Sequence, residues 1–219
     1  MTTSYQFGCA VEGDGETSAV PALLQRLGNH FCPGLFQRNA EISRIDSGKM
    51  RVEQEIDRYL ELLARRVGRD SPFLILFDGD LLGDCAKELN VAVLENVRKA
   101  HADLRVSVVV ATAEFEAWFL ASKKSLVDKG IFKKDPCPNQ GAESMRSPKA
   151  LVGAALGRKY RETIDQHDLV REMSIDEAYA NSRSFRKLCD DFKRLICPDE
   201  DAENGEGEQP ESNSEMGVV

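Results

Sequence analysis

Carboxylates dominate the chemistry this sequence offers, and they recur at one kind of place. Glu12 follows the apolar run of residues 5–11, in Val11-Glu12-Gly13-Asp14-Gly15-Glu16. Asp78 and Asp80 follow Phe73-Leu74-Ile75-Leu76-Phe77, with Gly79 between them. Glu114 follows the apolar run of residues 104–111. Carboxylates brought together repel unless a cation offsets them. Clusters of oxygen donors favour Mg²⁺, Mn²⁺ or Ca²⁺ over softer metals. Asp78 and Asp80 alternate on an extended segment, so both side chains can reach one hydrated ion. Gly13 and Gly15 permit close backbone approach to a phosphate. Asp14 fits an ordinary Asp-Gly turn. Glu114 and Glu116 also suit the N-terminal dipole of the helix they open.

The elements that carry these residues alternate. Residues 5–11 read as a strand ending in a glycine-rich turn. Thr17 or Ser18 caps the next helix, Pro21 fits its first turn, and Gly28-Asn29 ends it. Residues 35–45 hold a weaker strand. Val52, Ile56, Tyr59, Leu60, Leu63 and Val67 share one face of a helix. The run from Phe73 to Phe77 suits a central parallel strand buried on both faces. A helix over residues 84–102 leads to a second buried strand, 104–111. Thr112 then caps the helix bearing Glu114 to Leu120. This alternation predicts an α/β fold, a mostly parallel, Rossmann-like sheet flanked by helices. Strand ends of such a sheet form ligand sites, so all these carboxylates fall on one edge. Residues 148–156, 163–173 and 175–196 read as helices. The organisation is therefore an α/β domain over 1–124, a helical C-terminal extension over 125–197 packed on it, and a disordered acidic tail over 198–219.

Composition narrows the class. The chain has 219 residues, 42% hydrophobic and 30% charged, which suits a globular core. Its net charge of −8 comes from eight acidic residues beyond Pro198, leaving 29 of each sign in the body. Charge thus neither supports nor excludes nucleic acid as a partner. No apolar run approaches a membrane span, and the N-terminus lacks a secretory layout. Six dispersed cysteines without a CxxC pair read as reduced thiols, and the expected location is cytoplasmic.

A strand-end Glu-Gly paired with a later strand-end Asp-x-Asp resembles the Toprim domain of topoisomerases, primases, OLD-type nucleases and RecR-like proteins. More specifically, the chain resembles the bacterial DUF4276 family, compact Toprim-like proteins. Val11 to Glu16, Glu114-Phe115-Glu116-Ala117-Trp118-Phe119-Leu120, Ile164-Asp165-Gln166 and Ser184-Phe185-Arg186-Lys187-Leu188 carry that resemblance. It implies a Mg²⁺- or Mn²⁺-dependent phosphoryl-transfer enzyme, foremost a nuclease acting on DNA or RNA. Glu12 would be acid/base or metal ligand, with Asp78 and Asp80 as ligands. Glu16 and Asp84 stand where OLD-type nucleases build a second metal position, although Glu16 replaces the more usual Asp. Glu114 is a further candidate ligand. A separate ATPase subunit in phage defence is the partner it suggests, and an oligomer is compatible with it. The alternative is a non-catalytic Toprim-fold module that binds nucleic acid or regulates. A small-phosphoester hydrolase is a third reading.

Cations come from the helical half. Lys187, then Lys149, are the candidate lysines for stabilising developing charge. Arg146, Arg183 and Arg186 are candidates for phosphate positioning. Asp165 and Gln166 read as helix-capping residues, and Phe115, Trp118 and Phe119 as core. No Walker motif is present, so a nucleotide-driven motor would be another chain.

Overall fold

A period-two sorting of side chains builds the sheet. In the computed structural model the described residues are 6–33, 40–46, 49, 52–79, 86–137 and 141–196. Four strands, β1 (Gly8–Val11), β2 (Glu41–Arg44), β3 (Pro72–Asp78) and β4 (Arg105–Ala111), form one parallel sheet in the order β2-β1-β3-β4. Every residue of β3 is buried, as its unbroken apolar run requires. Leu74, Leu76, Val109 and Ala111 face one hydrophobic layer, and Phe73, Ile75, Phe77, Val108 and Val110 the other. Asp78 continues the parity of Leu74 and Leu76. The α/β class with a parallel sheet between helices is therefore the observed one.

Helices α1 (Glu16–Phe31), α2 (Glu53–Val67) and α3 (Ala86–Ala100) make the crossovers. The second half holds α4 (Ala117–Ala121), α5 (Lys123–Asp128), a 3-10 turn at Ala142–Ser144, α6 (Pro148–Leu156), α7 (Glu162–Glu172), α8 (Ile175–Asn181) and α9 (Arg183–Ile196). Their apolar faces, through Val152, Leu169, Phe185 and Phe192, share one layer with α1 and the sheet. Trp118, Phe115 and Phe119 are core residues there. The Trp118 indole N–H donates to Ser184 Oγ at 3.0 Å, and its ring meets Phe185 edge-on at 5.4 Å.

Several local expectations are corrected. Helix α1 starts at Glu16, so Pro21 stands in its second turn; the Thr17 and Ser18 hydroxyls donate to Asp14 O and Gly15 O instead of capping. It also runs past Gly28 to Phe31, because Gly28 is buried and its carbonyl accepts the Cys32 N–H. The predicted single helix over 175–196 breaks at Ser182, which is extended and whose Oγ accepts the Phe185 N–H at 3.1 Å, capping α9. Cys32 is disulfide-bonded, whereas Cys9, Cys137 and Cys189 are free and buried. Reading all six as thiols from spacing missed a pairing that folding, rather than adjacency, sets. Among the described residues no helix is long and apolar enough to cross a membrane. The acidic tail, 198–219, lies outside the described residues.

Candidate functional site

The strand order creates the site. From β1 the chain crosses to β2 on one side, then returns to β3 on the other, so a crevice opens beyond the carboxyl ends of β1 and β3. Val11 pairs with Leu76 in that register, which brings Glu12 beside Asp78. The Asp78 N–H donates to Glu12 Oε2 at 3.0 Å.

Glu16 turns back into the same turn. Its Oε2 accepts the Glu12 N–H at 3.1 Å and the Gly13 N–H at 2.8 Å, while the residue is only 2% exposed. Burial pushes its pKa up to about 7; the Glu12 and Glu162 charges add to this and the Gly13 and Glu12 N–H donors oppose it. Asp78 Oδ1 accepts the Phe115 N–H at 2.8 Å. Burial, then Glu16, Glu116 and Glu12, raise the Asp78 pKa well above the usual carboxylate range, with Lys149 pulling against them.

The turn after β4 is shaped by that bond. Ala113 adopts φ 65°, Phe115 reaches Asp78, and α4 begins only at Ala117. Thr112 is therefore not the cap predicted for it. Glu114 Oε2 instead accepts the Lys149 N–H at 2.8 Å, in the first turn of α6. Ser147, ahead of α6, is left-handed and gives no side-chain cap, so Glu114 serves from across the chain.

Glu116 is fully buried at 0% exposure. Its Oε1 accepts Tyr160 Oη at 2.8 Å and Gln166 Nε2 at 3.1 Å, while its Oε2 has no partner. Burial pushes its pKa up to about 7 against the pull of Lys149 and Tyr160. Lys149 Nζ lies 3.3 Å from Glu162 Oε2. Burial lowers the Lys149 pKa, but Glu116, Glu162, Asp78 and Glu114 together hold it above its usual value.

The N-terminal turn of α7 closes the crevice. A Cβ on Gly15 would lie 2.4 Å from Gln166 Oε1 and 2.8 Å from Glu162 Cγ. Gly15→Ala is therefore expected to displace the Gln166 and Glu162 side chains from the β1–α1 turn and cost about 1–3 kcal/mol. Thermal unfolding should show a fall of several degrees. An unchanged melting temperature would mean that neither side chain is held against the turn.

Of the residues predicted from sequence, Glu12, Glu16, Asp78 and Lys149 meet here, and Glu114 anchors the Lys149 backbone. Asp80 and Asp84 lie outside the described residues. Lys187 is misplaced as a site lysine: it pairs with Asp191, four residues on, and Asp191 is held by Ser107. Ser107 pairs with Leu74, four residues before Asp78, a separation of about 13 Å along the strand. Arg146 is exposed ahead of α6. Arg183 is exposed at 3.5 Å from Glu143, and Arg186 donates to the carbonyls of Tyr179 and Ala180 that end α8. Arg183, Arg186 and Lys187 line a separate groove between α3 and α9.

Tyr160 and Glu162 were not legible as site residues. Glu116 was read mainly as a helix-dipole residue, although a carboxylate inside Phe115-Glu116-Ala117-Trp118-Phe119 was the available signal. Asp165 does cap: it accepts the Arg161 N–H at 2.7 Å and pairs with Arg158 at 2.7 and 2.9 Å. Gln166, read with it as a cap, instead enters the site.

The donor set suits a hard cation. Glu12, Glu16, Asp78 and Glu116 all carry oxygen, the charges of the other three raise the proton affinity of Asp78, and Lys149 is the cation among them. Glu116 Oε2 and Gln166 Oε1 are both buried without partners. Among the described residues, however, no three His, Cys, Asp or Glu side chains already converge as a metal group.

Residues 11–193 match the family model described as Domain of unknown function (DUF4276). No curated protein and no solved structure matches the chain.

Proposed function

The chain belongs to the DUF4276 family, and from this site we propose that it is a metal-dependent phosphoryl-transfer enzyme, foremost a nuclease cleaving DNA or RNA phosphodiesters. The observation that carries the reading is the meeting of Glu12, Glu16 and Asp78 at the β1/β3 switch point, with the buried Glu116 carboxylate acting on Asp78 from the turn after β4. The Toprim resemblance supports it, since a parallel sheet with Glu12 and Asp78 at adjacent strand ends is the arrangement that reading requires.

Glu12 and Asp78 would hold Mg²⁺ or Mn²⁺, with Glu16 beside them. The bound ion supplies charge neutralisation and polarisation of a phosphoryl oxygen. Glu12, at the strand end, accepts the proton of the attacking water or serves as a ligand. Lys149 leaves Glu162 to face the non-bridging oxygens, where charge develops. Glu116, fixed by Tyr160 and Gln166, keeps that lysine charged and aimed inward.

Calorimetric titration with Mn²⁺, followed by cleavage of labelled DNA and RNA, tests the reading. Lys149→Gln is expected to keep Mn²⁺ binding and lose about 10²-fold in kcat. No Mn²⁺ binding, with or without an oligonucleotide present, would end the enzyme reading. One observation favours a second one: Glu16, Asp78 and Glu114 each accept a backbone N–H. A non-catalytic module would use its carboxylates for such bracing alone. Nucleic-acid binding indifferent to Asp78→Asn, without cleavage, would establish it.

A further inference from the structure

An open cleft of about 460 Å³ lies between α6 and residues 158–162, lined by Lys149, Gly153, Arg158, Lys159, Tyr160 and Glu162. Three of these belong to the acidic crevice as well. Lys149 acts on Asp78 and Glu116, Tyr160 donates to Glu116, and Glu162 holds Lys149 and lies against Gly13. The cleft thus adjoins the crevice, and Tyr160, Lys149 and Glu162 belong to both.

The cleft's lining carries Lys149, Arg158 and Lys159 beside the Glu162 carboxylate. Arg158 is locked, since both terminal nitrogens bind Asp165 at 2.7 and 2.9 Å. Among the described residues the exposed Lys159 has no side-chain partner, while its own carbonyl accepts from Arg158 at 3.2 Å. Gly153 packs against the backbone of residues 158–160, where a Cβ would lie 3.4 Å from Arg158 O and Tyr160 N. An uncommitted ammonium beside a fixed guanidinium suits a phosphate group.

The groove between α3 and α9 is the rival surface. There Lys187 and Arg194 are paired with Asp191, Arg186 donates to carbonyls, and Arg183 lies 3.5 Å from Glu143. Its lining shares no residue with the crevice, whereas the cleft beside α6 shares Lys149, Tyr160 and Glu162.

We infer that the α6–α7 cleft binds a backbone phosphate of the nucleic acid next to the scissile one, with Lys159 as its principal contact and Lys149 between the two phosphates. This rests on the nuclease reading and names how that site takes its substrate.

The test is fluorescence anisotropy of a labelled single-stranded oligonucleotide in Ca²⁺, at several salt concentrations. Lys159→Gln should weaken binding about 5–10-fold and lower the salt slope by about 1. Lys159→Glu should weaken it further, with both variants keeping the wild-type melting temperature. Wild-type affinity and slope in Lys159→Gln would overturn the inference and leave the nuclease reading standing. A loss on Arg183→Gln with none on Lys159→Gln would place the strand along α9 and overturn it too. No oligonucleotide binding by the wild type at low salt would overturn both.

Discussion

Asp78→Asn is expected to yield a protein that is inactive and, without metal, at least as stable as the wild type. The carboxylate is 9% exposed, and Glu16, Glu116 and Glu12 all disfavour its charge. Asn keeps an oxygen that can accept the Phe115 N–H, so the bond at 2.8 Å survives while the charge is removed. Removing a buried charge among like charges relieves the folded state. The same change deletes a ligand for the proposed cation, so Mn²⁺ binding should vanish and cleavage should fall at least about 10³-fold. Calorimetry, a cleavage assay and thermal unfolding in EDTA read the three outcomes. A marked loss of stability would show that the Asp78 charge braces the fold. Retained cleavage would remove Asp78 from the chemistry.

Stability without metal should fall as pH rises from about 4.5 to about 7, the span between the ordinary and the folded-state values of Glu16 and Glu116. Both groups are raised, so in this window the folded protein binds protons that the unfolded chain has released. The unfolding free energy therefore decreases with pH across the window and levels off above it. For fully buried Glu116 the effect is on the order of 3 kcal/mol. Asp165 and Glu143 act oppositely: with Arg158 and with Ser184 and Ser182 as partners, they are lowered, and their contribution is lost as pH falls below the ordinary carboxylate range. Urea unfolding in EDTA should thus peak near the bottom of the window. Glu116→Gln should flatten the decline, and Mn²⁺ should offset it in the wild type. Stability rising between pH 5 and 7 without metal would contradict this arrangement of charges.

What the sequence revealed followed from periodicity. An apolar run such as Phe73 to Phe77 has few alternatives to a buried parallel strand, so Asp78 could be placed at its exit. The same strand-end rule placed Glu12. Contacts between distant segments were opaque. Nothing in Tyr160 or Gln166 announces that they meet on Glu116, because that meeting depends on where α7 docks against the β1–α1 turn. Lys187 was misread although Asp191 stands four residues on, a pair local to one helix; only the seating of Asp191 on Ser107 of β4 depends on the fold. Ser182 did carry a local signal, a hydroxyl three residues before Phe185, and a long apolar periodicity obscured it.

The dependence of the crevice on α6 and α7 also sets an order in time. A ribosome releases Glu12 and Asp78 well before Lys149, Tyr160, Glu162 and Gln166 exist. Until those residues arrive, the strand ends carry their charges without the lysine that faces them or the helix that closes over Gly15. A nascent chain that has finished all four strands has therefore not finished the site. Its last parts come from α6 and α7, so the site is complete only once those helices follow the strands out of the ribosome.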